Sequence, residues 1–145
     1  MNLSSLLIDV KEAWVDFPGL SGFSVNVNSL SRKELKALHT RCLVTKYENR
    51  QAVQILDEEK FNREFTKAAI KNWKGLKLSY LEDLMLVNIA GKDPKSELDY
   101  SEENAFTLVS NSTAFDQWLT EVVSDLNNFR SGTTGGNVEE TGKVA

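Results

Sequence analysis

Apolar positions recur with a period of two along the first part of the chain and with a helical period afterwards. Ala13, Val15 and Phe17 occupy every second position, Pro18-Gly19 supplies a turn, and Phe23, Val25 and Val27 face away from Ser24, Asn26 and Asn28. This pattern predicts a β-hairpin over about residues 6–28 with one wet face. Ile8 and Val10 extend its first strand backwards, with a bulge expected near Lys11 and Glu12, where the register slips.

Helical signals follow. Ser31 with Glu34 forms a capping box ahead of Leu35, Leu38, Cys42 and Leu43, which predicts a helix over about 32–44. Asp57 caps a second helix over about 58–73, with Glu58 and Glu59 favoured by the dipole of its first turn. Phe61, Phe65, Ala68, Ala69 and Trp73 form its apolar stripe, and Gly75 ends it. Between the two helices, Val53, Ile55 and Leu56 suggest a short strand pairing with the hairpin. Residues 76–86 read either as a short helix or as an irregular apolar connection, and Ala90-Gly91-Lys92-Asp93-Pro94 as a loop. Ser101 starts a helix over about 101–109. Thr113 with Asp116 caps the last one, over about 113–129, where Phe115, Trp118, Leu119, Val122, Val123, Leu126 and Phe129 keep the most regular helical period in the chain.

The expected fold class is therefore α+β, an N-terminal β-hairpin or small antiparallel sheet followed by a mainly α-helical bundle. The composition shifts after Phe129. The stretch SGTTGGNVEETGKVA holds four of the eight glycines and no large apolar residue beyond two valines. Residues 1–130 are thus expected to form one globular domain and residues 131–145 a flexible glycine-rich segment.

The residue inventory narrows the chemistry. One histidine, His39, and one cysteine, Cys42, leave no basis for a disulfide framework or a four-ligand Cys/His zinc site. Three apart on one helix, they are neighbours without the third orienting group that a nucleophilic pair requires. The carboxylates Glu82, Asp83, Asp93, Glu97, Asp99, Glu102 and Glu103 lack the spacing of an EF-hand loop and read as a solvated face. Lys67, Lys71, Lys74 and Lys77 surround Trp73, a pattern that could meet a nucleic acid. A formal charge of −4, from 17 basic against 21 acidic residues, opposes that reading. No glycine spacing matches a Walker or Rossmann loop. No catalytic, cofactor-binding or metal-ligating residue is expected, and neither a nucleic acid nor a membrane as partner. The first ten residues lack the basic region and cleavage site of a secretory signal, and no run of eighteen apolar residues occurs, so a cytoplasmic location is expected.

Two segments, FNREFTKAAIKNWKGL at 61–76 and YSEENAFTLVSNSTAFDQWLTEVVSDLNNF at 100–129, resemble the tail assembly chaperones of long-tailed bacteriophages. The resemblance covers about residues 20–130. It rests on Trp73-Lys74-Gly75 after a helix, on the acidic helix start Ser101-Glu102-Glu103-Asn104, and on a final apolar helix running from Phe115 to an Asn-Phe ending at Phe129. It implies a non-enzymatic assembly factor in the cytoplasm of the infected host, absent from the mature virion. Such a factor coats the helical tape measure protein and keeps it soluble until tail-tube subunits polymerise around it. It further implies a longer frameshifted form, for which the glycine-rich 131–145 stretch would be a linker and which would reach the tail-tube protein. On this reading an apolar groove would receive a partner helix, with Trp73, Leu76, Tyr80 and Leu84 as contact candidates and a homo-oligomer as one option. The competing readings are a minor tail or head-tail connector protein of the virion, and an enzyme built on an unforeseen carboxylate site.

Overall fold

In the computed structural model, which describes residues 2–7 and 11–130, the chain is α+β. The hairpin is present: β1 (Glu12–Asp16) pairs antiparallel with β2 (Ser24–Asn28), Val15 opposite Val25. Phe23, Val25 and Val27 are fully buried, as their alternation requires. The positions expected to extend the first strand, Ile8 and Val10, and the stretch 131–145 lie outside the described residues.

α1 (Arg32–Arg41) starts with the capping box: the Ser31 hydroxyl accepts from the Glu34 N–H and the Glu34 carboxylate from the Ser31 N–H. It stops at Arg41 rather than near residue 44, because Leu43 already belongs to a strand. That strand, β3 (Leu43–Glu48), pairs with β4 (Gln51–Leu56) in a separate two-stranded ribbon. The strand expected around Val53 and Ile55 thus exists, but it does not join the N-terminal hairpin. Only Asn49 and Arg50 separate β3 from β4, both with positive φ (51° and 65°), so the tightest available partner wins.

α2 (Glu58–Ala69) begins at Asp57, whose side chain accepts from the Lys60 N–H. It ends at Ala69, four residues short of the expected Trp73. Ile70 starts β5 (Ile70–Lys74), which completes a three-stranded sheet in the order β1-β2-β5. The reason is a bulge. Asn26 pairs with Asn72 and Val27 with Ile70, leaving Lys71 without an opposite residue. The extra residue lets Ile70 and Trp73 both point into the core at a spacing of three, which imitates a helical stripe. Gly75 accordingly ends a strand, not a helix.

The segment at 76–86 contains α3 (Leu78–Leu84), followed by an irregular return in which Leu98 N–H donates to the Leu76 carbonyl at 2.7 Å. α4 (Glu102–Asn111) is capped by Ser101. α5 (Thr113–Ser124) is capped by Ser112 rather than Thr113, and it ends at Ser124 rather than 129. Asp125 there caps a short 3-10 turn, Leu126–Asn128, by accepting from the Asn127 N–H. α2 and α5 cover the inner face of the sheet, and α4 packs on both. Phe17, Phe23, Phe115 and Trp118 fuse sheet to helix, with ring centroids 5.0 to 6.2 Å apart.

Candidate functional site: the exposed β-arm

The four contact candidates sit in or against the core. Trp73 and Leu84 are buried and Leu76 is wholly so, all within the main core cluster. The Trp73 indole N–H donates to the Leu98 carbonyl at 2.9 Å, and Tyr100 meets the indole edge-on at 5.3 Å. Tyr80 packs at the margin of the core and donates its hydroxyl to the Ser21 carbonyl at 2.6 Å. Together they join β5, α3 and the β1–β2 turn. Burying an indole is worth a few kcal/mol, and in a domain of this size the core claims it first. In this structure Trp73, Leu76 and Leu84 thus serve the core, and of the four candidates Tyr80 alone stays half-exposed at its margin.

The basic residues around Trp73 are dispersed in the same way. Lys67 lies on α2, Lys71 and Lys74 on β5, and Lys77 ahead of α3. The Lys74 ammonium sits 4.8 Å from the Trp14 ring centroid and that of Lys77 5.5 Å from Tyr80. With the Trp73 ring enclosed, no aromatic platform stands at their centre. Cys42 is fully buried as the C-cap of α1, and His39 sets its ring against Phe61 at 6.1 Å. Among the described residues, no group of three or more His, Cys, Asp or Glu side chains is placed to hold a metal ion. A cleft beside Arg63, Lys67 and Tyr100 encloses about 70 Å³, against roughly 300–1,000 Å³ for small-molecule sites. A broader depression of about 500 Å³ at Glu82 and the 87–94 loop lies largely open to solvent. No helix among the described residues is long and apolar enough to cross a membrane.

Exposed large apolar side chains among the described residues include Leu3, Leu6 and Leu7 near the N-terminus, the single residues Leu86 and Leu126, and a paired set on the β3–β4 ribbon. The ribbon is anchored at its root, where the Asp57 N–H donates to the carbonyl of buried Cys42 at 2.8 Å. Beyond that root none of its apolar side chains joins the core cluster. The register places Val44, Lys46 and Glu48 on one face with Ile55, Val53 and Gln51. Leu43, Thr45 and Tyr47 share the other face with Leu56, Gln54 and Ala52. Tyr47 is 79% exposed, and Val44 and Ile55 each 36%. A two-stranded ribbon alone is marginal in water, and this one carries aliphatic and aromatic groups in the open. The sequence holds the signal in Asn49-Arg50 between two alternating runs. Without a glycine in the turn, that signal is weak.

Compared with known proteins, the chain matches no family model, no curated protein and no solved structure.

Proposed function

We propose that the protein is a non-enzymatic assembly factor, a tail assembly chaperone of a long-tailed bacteriophage that binds the tape measure protein and holds it soluble for tail-tube polymerisation. The sequence resemblance at 61–76 and 100–129 names the class. The observation that carries the interaction role is the uncovered arm, whose Val44, Tyr47 and Ile55 present apolar surface that the rest of the described fold does not use. A helical partner rich in apolar repeats can lay its i, i+3, i+4 and i+7 anchors on the face formed by Val44, Val53 and Ile55, exchanging one exposed hydrophobic face for another, while Tyr47 offers a contact on the opposite face. On this reading the contact surface is the arm, in place of the groove first expected around Trp73. In this reading the protein works in the host cytoplasm and leaves before the virion is finished, and a longer frameshifted form carries the same domain through a 131–145 linker to the tail-tube protein.

Co-expression with the tape measure protein of the same genome tests this. A rise in soluble tape measure protein together with a captured complex supports the reading. Unchanged solubility with no complex, and the chain found instead in purified particles, favours a structural tail protein.

A further inference from the structure

We propose that the protein self-associates by pairing the outer edge of β4 with the same edge of a second copy. In a hairpin closed by a two-residue turn, the flanking pair, here Glu48 and Gln51, exchanges both main-chain hydrogen bonds. Alternation then turns the N–H and C=O groups of Ala52, Gln54 and Leu56 outward, and the two-stranded ribbon leaves them without a strand partner. The two edges of the arm differ. β3 carries Lys46 and Glu48, the kind of charges that keep strand edges apart, whereas β4 has no charge anywhere between Gln51 and Leu56. A chain with net charge −4 resists its own copy, so a homotypic contact belongs where like charges do not meet.

The register is set by side chains. Placing Gln54 opposite the partner's Gln54 makes that pair hydrogen-bonded through the main chain. It also sets Val53 against the partner's Ile55 and Ile55 against the partner's Val53, on the close-spaced sites where side chains interact most strongly. Ala52 then faces the partner's Leu56. Between Ala52 and Leu56 every opposed pair is neutral and most are apolar. The product is a four-stranded sheet in the order β3-β4-β4-β3. One of its faces joins Val44, Ile55 and Val53 of both copies into a continuous apolar surface. Strand addition of this length buries less than the ~800 Å² per partner of stable complexes, so the dimer is concentration-dependent. The pairing holds whatever the arm's other partner is, since it uses the main-chain edge and leaves both faces free.

Sedimentation velocity on the full chain over a wide concentration range tests it. The wild type rises from 16.3 kDa toward twice that mass. Gln54→Lys and Gln54→Glu, both at an exposed position, each place like charges opposite one another and stay at chain mass. An equimolar mixture of the two restores the doubled mass, because lysine then faces glutamate. Unchanged far-ultraviolet circular dichroism shows that both variants fold. A wild type that remains monomeric throughout overturns the proposal, as does a dimer that persists in each variant alone.

Discussion

Replacing Gly75 by alanine tests how the fold joins its sheet to the helices. Gly75 follows β5 with φ at +76°, a left-handed conformation costing an L-residue about 1–2 kcal/mol. An added Cβ would lie 2.8 Å from the Gly22 carbonyl carbon and closer still to its oxygen. That contact is backbone, so relief requires moving the β1–β2 turn next to fully buried Phe23 or shifting fully buried Leu76. Forced repacking of this kind costs about 1–3 kcal/mol. The narrower unfolded ensemble of alanine returns about 0.4–1 kcal/mol, leaving a net loss of about 2–4 kcal/mol. Gly91 is the internal control. Its φ is +80°, yet nothing lies within 4 Å of its added Cβ, so Gly91→Ala loses about 1 kcal/mol or less. Urea denaturation of both variants at unchanged slope gives the difference directly. Equal losses for the two would refute the close approach of Gly75 to Gly22.

Other substitutions separate core from surface. Trp73→Phe removes the indole donor to Leu98 and is expected to destabilise by about 1–3 kcal/mol in the same titration, with the folded variant capturing partner as well as wild type does. Glu34 has its carboxyl held below the usual value first by the Lys11 ammonium at 2.6 Å and then by the Ser31 N–H. Its contribution is complete above the ordinary carboxylate value and fades as pH falls through the lowered one. Because the pair is largely exposed, Glu34→Gln, which keeps the cap geometry, flattens the acid limb of a stability profile by well under about 1 kcal/mol.

Much of the fold was legible in the sequence wherever one residue carries one signal. Ser31 with Glu34, Asp57 and Ser101 cap the helices they announce, and the buried Phe23, Val25 and Val27 show the period of two. What escaped was set by pairing across the chain. The bulge at Lys71 gives Ile70 and Trp73 a helix-like spacing inside a strand, and only the approach of β2 reveals it. The arm was half legible: Val53, Ile55 and Leu56 announced β4, but β3 was hidden because Leu43 reads as the continuation of α1 and Asn49-Arg50 lacks a glycine. The burial of Trp73 and Leu76 was illegible for a related reason. An apolar residue at regular spacing can belong to the core or to an interface, and the sequence around Trp73 and Leu76 does not distinguish the two, whereas their burial does.

The most direct test of the arm as partner surface is affinity capture of the tape measure protein by wild type and by the double variant Tyr47→Ser with Ile55→Ser. Both side chains stand clear of the core cluster, so thermal unfolding should change little. The expected result is a folded variant that no longer retains the partner. Retention equal to wild type would contradict the role assigned to the arm.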